Sequence, residues 1–222
     1  MPKAVIFDVD GTLIDSNGQH ALAWQDAFRD FGHAIDLAEI RAQIGKGGDQ
    51  LLPVFLSHDE IAARGEALES HRAGILKERY LPQIVGFPKV RELMQRLLAD
   101  GRRIALASSA KGDELQRYKA IAGIEDLIGT ETSSDDADRS KPYPDIFQAA
   151  LDRLGSPPPR DVVVVGDTPY DAQGAAKAGL RTIGLTCGGW GEDDLAAAGC
   201  MAVYRDAADL LARYEDSPLA AG

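Results

Sequence analysis

Asp8 and Asp10 follow the first apolar run of the chain, KAVIF, two positions apart in the stretch DVDGT that ends at Thr12. A second apolar run, VVVV, leads into Gly166 and Asp167, with Asp171 four residues on. Between them, IALA leads into Ser108 and Ser109, and Lys141 stands framed by Ser140, Pro142 and Pro144. In an open parallel sheet, ligands bind beyond the carboxyl ends of the strands, so residues that follow strand-like runs are the ones to read for chemistry. Three or four carboxylates converging there would repel one another unless a cation sat among them. An all-oxygen set without Cys or His points to Mg2+. Two carboxylates two residues apart can divide labour, one attacking a phosphorus centre as nucleophile and the other handling the leaving-group proton. Ser108 and Lys141 are suited to hold phosphoryl oxygens, and the lysine charge would offset the acids.

That chemistry requires the runs to be neighbouring strands. Lys3 to Phe7, Ile104 to Ala107, Val162 to Val165, Thr182 to Leu185 and Met201 to Tyr204 are short and nearly continuously apolar, the pattern of strands buried on both faces. Helical patterns alternate with them. From Lys89 to Asp100, Val90, Leu93, Met94, Leu97 and Leu98 form one stripe, and Gly101 supplies a left-handed cap. Gly123, Gly155, Gly179 and Gly199 end later helices in the same way. The alternation reads as βαβ units of an α/β fold. Residues 16 to about 85 break the rhythm, with helical patterns and no strand-like run. Trp24, Ala27, Phe28 and Phe31 make one stripe, Ser57 and Glu60 form a capping box, and Gly45, Gly47 and Gly48 read as a flexible loop. Because this helical insertion begins just after the first acidic loop, it is expected above that end of the sheet, shielding it from water.

The chain has 222 residues, 35 acids against 24 Lys plus Arg, and a formal net charge of −11. Such a balance disfavours nucleic acid and anionic membrane surfaces, which need clustered cations. Cys187 and Cys200 are too few for a disulfide framework and lack zinc-site spacing. They read as small buried side chains. No apolar run reaches transmembrane length and the N-terminus has no signal-peptide pattern, so a cytoplasmic location is expected. The tail from Glu215 to Gly222 is small and polar and reads as frayed.

DVDGT at Asp8 to Thr12, Ser108 after IALA, Lys141 in KPYPDIF and GDTPYD from Gly166 to Asp171 occur in an order that resembles the haloacid dehalogenase-like hydrolases, over nearly the whole chain. Within that family the chain is similar to the phosphatases with a helical cap after the first strand. The resemblance implies a Rossmann-like parallel sheet core with helices on both faces, formed by residues 1–14 and 86–222, plus an inserted α-helical cap at 15–85. It implies Asp8 as the nucleophile forming an aspartyl-phosphate, Asp10 as acid and base, and Ser108 with Lys141 as the phosphoryl clamp. Mg2+ would be held by Asp8, the Asp10 backbone carbonyl and Asp167, with Asp171 bound directly or through water. Gly11, Thr12, Ser109, Lys111, His20 and Lys46 complete the expected substrate contacts. The implied partner is a small-molecule phosphate ester, first phosphoglycolate and then a sugar phosphate, turned over by a monomer or homodimer.

Asp10 argues against relatives that remove halide, which generally lack the second aspartate. Sugar phosphomutases of the family share the pattern Asp15, His20, Trp24 and a lysine placed like Lys111. Their cap loop carries an arginine where this chain has Asp49, and their last motif is usually Glu-Asp where this chain has Gly166-Asp167; both differences favour hydrolysis. Phosphonate-cleaving relatives use a cap lysine as a Schiff base, but Lys46 in IGKGGDQLL lacks the hydrophobic setting such a lysine needs. A phosphate-binding regulatory protein without turnover is the third alternative. Taken singly, His20 and Trp24 read as residues of the cap core, Asp15 as part of a hinge turn, Trp190 as loop packing, and Lys46 equally as a solvent or substrate contact.

Overall fold

The computed structural model describes residues 1–220, and Ala221 and Gly222 lie outside the described residues. Five strands of the central sheet fall on the apolar runs: β1 (Ala4–Phe7), β4 (Arg103–Ala107), β6 (Val162–Gly166), β7 (Arg181–Leu185) and β8 (Ala202–Tyr204). A sixth, β5 (Glu131–Thr132), is too short for its pattern to be read from sequence. The order is β5-β4-β1-β6-β7-β8, all neighbours parallel. The chain therefore winds outward from β1 first one way and then the other, and the reversal point lies beside β1.

Strand alternation sorts the core into two layers. Val5 and Phe7 of β1 join the cluster under α5 (Val90–Ala99), α6 (Gly112–Ala122) and α10 (Ala207–Ala212). Ala4 and Ile6 face the opposite cluster under α7 (Asp145–Arg153) and α8 (Pro169–Lys177). The short α9 (Glu192–Ala197) lies between β7 and β8. Helices on both faces make this a Rossmann-like α/β fold, with glycines in the left-handed region ending α6 and α8 as their sequence positions require.

Between β1 and α5 the chain forms α1 (Asn17–Asp30), α2 (Leu37–Arg41), α3 (Gly48–Phe55) and α4 (His58–Ile75), which share a separate cluster around Trp24, Phe28, Leu51 and Leu52. The Ser57–Glu60 capping box starts α4 as expected. Two further strands escaped the sequence reading: β2 (Ile14–Asp15) and β3 (Val85–Gly86) pair antiparallel where the chain enters and leaves the helical insertion. Ile14 pairs Gly86 and Asp15 pairs Val85, so Asp15 lies in the short ribbon that joins the insertion to the sheet.

Three expectations need correction. The glycine-rich stretch is not all loop, because Gly47 caps α3 and Gly48 opens it. From Glu215 to Ala220 the tail is anchored rather than frayed, since Ser217 and Leu219 are buried and the Ser217 hydroxyl donates to Tyr214 O at 2.6 Å, while its last two positions lie outside the described residues. Cys187 and Cys200 are free and only half-buried. Among the described residues no helix is long and apolar enough to cross a membrane.

Candidate active site

Phe7 pairs Leu106 on one side and Val165 on the other. The next residue of each strand path thus reaches the same sheet edge: Asp8 after β1, Ser108 after β4, and Asp167 just past β6. Asp8 N donates to Val165 O at 2.9 Å and Ser108 N donates to Thr132 O at 3.1 Å, so the ladder continues to the last residue before the loops. Lys141 comes from the segment that leads into α7. Its ammonium pairs with Asp8 Oδ1, lies 2.7 Å from Asp171 Oδ1 and donates to Ala107 O at 3.2 Å.

Asp171 is fixed by its own helix. Thr168 caps α8, and Asp171 Oδ2 accepts from Thr168 N at 3.0 Å and Thr168 Oγ1 at 2.7 Å, a reciprocal capping box. The other oxygen is left toward Lys141 and the neighbouring acids. Thr12 Oγ1 lies 3.0 Å from both Asp8 Oδ2 and Asp167 Oδ1, and Asn17 Nδ2 donates to Asp167 Oδ2 at 2.7 Å and Gly188 O at 2.9 Å.

Asp8, Asp167 and Asp171 are buried, and one oxygen from each lies within 4.8 Å of the others. Oxygens gathered that closely could all reach one small cation. Burial, then repulsion from Asp171 and Asp10 against the attraction of Lys141, pushes the Asp8 carboxyl up to about 7. Burial and the charges of Asp8 and Asp171 likewise raise Asp167 well above the usual carboxylate range. Asp171 Oδ1 is buried and receives no hydrogen bond of good geometry, although Lys141 is close. Three buried carboxylates that share one lysine and offer only oxygen donors fit a hard divalent cation. A Cβ on Gly188 would fall 1.7 Å from Asp167 Oδ2, so the chain keeps that flank of the cluster clear.

Asp10 belongs to a different group. Ser16 leaves the start of α1 without a side-chain cap and donates instead to Asp10 Oδ1 at 2.7 Å; His20 Nε2 lies 2.9 Å from the same oxygen. Burial would raise the Asp10 carboxyl, but His20 and Ser16 outweigh it and hold it below its ordinary value. Tyr118 Oη stands 3.4 Å behind His20 Nε2. The carboxylate of Asp10 is therefore not among the three clustered acids, and any part it takes in holding an ion falls to its backbone carbonyl.

A cavity of about 670 Å³ opens between the sheet edge and the helical insertion, lined by Asp8, Asp10, His20, Ser108, Ser109 and Lys111 on or beside the core and by Lys46, Trp24 and α4 above. Gly11 and Thr12, expected at the substrate, are outside its wall. Thr12 instead bridges two carboxylates, and Gly11, at φ 76, packs so closely that a Cβ would meet Asp167 Oδ2 at 2.3 Å. Lys46 Nζ is 2.6 Å from Gln43 Oε1 and 4.6 Å from the Tyr170 ring centroid, which also holds Trp190 edge-on at 6.1 Å. The insertion rests on the core through Tyr170 Oη to Ala42 O at 2.5 Å and through Asp49, which accepts from Ser140 N at 3.0 Å and Ser140 Oγ at 2.5 Å.

Sequence reasoning missed Asn17, Gly188, Tyr118 and the Asp49–Ser140 contact. Each depends on a partner more than 90 positions away, which no local pattern reports.

A family described as haloacid dehalogenase-like hydrolase matches residues 2–179. A protein of Dickeya dadantii named as a probable phosphatase is 32% identical over 205 residues, covering 89% of this chain and 87% of its own. The phosphoglycolate phosphatase of Cereibacter sphaeroides is 30% identical, covering 80% and 82%. The crystal structure of a hydrolase from Pseudomonas syringae superposes with a TM-score of 0.88 at 28% identity, covering 96% of this chain and 98% of that one.

Proposed function

The chain belongs to the haloacid dehalogenase-like hydrolase family and is a phosphoric monoester hydrolase, and on that premise we propose that it cleaves a small phosphate monoester through an aspartyl-phosphate on Asp8. The observation that carries this reading is the position of Asp8: at the end of β1, paired to buried Lys141, among clustered acids and on the wall of a cavity that Asp10 shares. A carboxylate so placed can attack phosphorus while the lysine offsets charge on the phosphoryl oxygens.

In the first half-reaction an Asp8 oxygen forms a bond to phosphorus as the bond to the leaving oxygen breaks, and Asp10 gives that oxygen its proton. His20 and Ser16 hold Asp10 ionised at rest; the arriving phosphate dianion raises its pKa, and Asp10 takes up from solvent the proton that it then gives. In the second, Asp10 takes a proton from water, the water oxygen bonds phosphorus, and the Asp8–phosphorus bond breaks to release inorganic phosphate. Ser108 and Lys141 hold the phosphoryl oxygens through both steps. Asp8, Asp167 and Asp171, with the Asp10 carbonyl, would hold Mg2+, which would supply charge neutralisation to the transferring group. Residues 15–85 serve as the cap over a core of 1–14 and 86–222, a division supported by the β2–β3 pair at the crossing.

Phosphoglycolate is the first candidate substrate and a sugar phosphate the second. The phosphomutase reading is disfavoured by Asp49: its carboxylate lines the cavity and is bonded to Ser140, where a second phosphate would meet a negative charge. The test is phosphate release from a panel of small esters with Mg2+ or chelator, by the wild type and by Asp8→Asn. Mg2+-dependent release lost in the variant supports the proposal; full activity in Asp8→Asn sinks it.

A further inference from the structure

The cavity wall that α4 contributes carries a cation for which the chemistry above has no use. Arg72 lines the cavity, and its guanidinium carbon lies 4.9 Å from the centroid of the Trp24 ring. Trp24 is 2% exposed and stacks on Phe28 at 5.6 Å, so the shelf beneath the guanidinium is a fixed part of the core of the insertion. The arginine ion pairs among the described residues all belong to other arginines. Arg72 thus presents a stacked face to tryptophan and an edge of unpartnered donors to the cavity.

A stacked guanidinium with a free donor edge is a receptor for an anion, binding a planar carboxylate with two parallel hydrogen bonds. The surrounding charge decides which anion. Asp49, Glu66, Glu69 and Glu114 line the same cavity and outnumber its other cations, Lys46 and Lys111. Burial raises the carboxyl of Glu69, one turn before Arg72, and Arg72 is the foremost charge acting against that. Such a wall tolerates a single negative charge placed at Arg72 better than the double charge of a second phosphate.

We infer that Arg72, seated on Trp24, is a specificity residue that receives a carboxylate on the leaving-group side, so that the preferred substrates are phosphate esters of small hydroxy acids. This rests on the phosphatase reading above and names the class of ester within it.

The experiment compares the wild type, Arg72→Gln and Arg72→Lys on 2-phosphoglycolate, on ethyl phosphate, an ester of similar length whose alcohol part is neutral, and on the bisphosphate of ethylene glycol. Removing a charge-assisted hydrogen-bonding partner is expected to raise KM for 2-phosphoglycolate by on the order of 10- to 100-fold in Arg72→Gln. Arg72→Lys recovers part of that loss, while KM for ethyl phosphate and kcat for both esters stay within about threefold. Retained turnover of ethyl phosphate also shows that the variants fold. Equal losses on the charged and neutral esters, or no change on either, would overturn the role of Arg72 while leaving the phosphatase standing. A wild-type preference for the bisphosphate that disappears in Arg72→Gln would overturn the choice of carboxylate. No phosphate release by the wild type from any ester would instead overturn the reading on which the inference rests.

Discussion

Gly188→Ala places one methyl group against the acid cluster, with all three of its nearest atoms in Asp167. Its Cβ would lie 1.7 Å from Asp167 Oδ2, 2.4 Å from Cγ and 2.7 Å from Cβ, whereas real contacts stay beyond 3.0 Å, so Oδ2 must retreat by about 1.3 Å. The backbone at Gly188 is outside the left-handed region, and alanine meets no conformational penalty there. The strain falls on Asp167, which is fully buried and held by Thr12 and Asn17. Overpacking of this kind costs about 1–3 kcal/mol of stability. Displacing a metal-side carboxylate by about 1 Å weakens metal affinity by roughly 10- to 100-fold and slows turnover on a similar scale. The assay is phosphate release against Mg2+ concentration, with circular dichroism to verify folding. The half-saturating Mg2+ concentration is expected to rise by that factor. Gly189→Ala is the control: φ is 107 and nothing lies within 4 Å of its added Cβ, so it loses stability and keeps the Mg2+ curve. A folded Gly188→Ala enzyme with the wild-type Mg2+ curve would refute the assignment of Asp167 to the ion.

Three further perturbations test other parts of the account. Lys141→Met leaves Asp8 and Asp171 without their buried partner, and urea unfolding should show a loss of about 3 kcal/mol together with loss of phosphatase activity. In chelator, the native protein holds a proton on Asp8 that the unfolded chain has released near its ordinary value, because burial raises that carboxyl to about 7. The native state then binds more protons than the unfolded one between about pH 4 and 7, so stability falls as pH rises through that window. Lys141, raised by its acid partners from an ordinary value far above the window, adds no slope there. Melting temperatures at pH 5 and pH 8 should differ in chelator and converge in Mg2+; a metal-independent difference would count against the cluster as the ion site. Asp26→Asn removes the acceptor shared by Arg29, Arg79 and Tyr80 within the insertion. It should lower stability by about 1–2 kcal/mol while phosphate release at 25 °C is retained.

The legible parts of this protein are those in which one residue type answers to one local requirement. Runs such as VVVV are apolar on both faces because helices cover both, and their ends mark where Asp8, Ser108 and Asp167 emerge. Gly101 and Gly123 could be read as helix ends because each adopts a left-handed φ. Strands β2, β3 and β5 could not, since two residues carry no periodicity and exist through a partner elsewhere in the chain. The helix from Gly48 was hidden by glycines and Pro53, which locally argue for a loop, while Leu51 and Leu52 packing into the core of the insertion overrides them. At the site, acids at strand ends announced themselves, but the side chains that aim them did not. Thr12 looks like a turn residue, Asn17 like the opening of a helix and Gly188 like a loop, and their work lies in contacts to Asp167. The tail reads as polar until Ser217 and Leu219 are seen buried beside Tyr214.

The central claim is a covalent bond between Asp8 and phosphorus, and rapid-quench mass spectrometry tests it most directly. Asp10→Asn removes the base of the second step, and an aryl phosphate whose leaving group departs without a proton spares the first, so mixing this variant with Mg2+ and such an ester and quenching in acid should trap the intermediate. The account predicts a phosphoryl adduct on the peptide that contains Asp8, formed only with Mg2+ and absent from the double variant Asp8→Asn, Asp10→Asn. A wild type that releases phosphate by transfer through another residue, with the adduct mapped there, would contradict it.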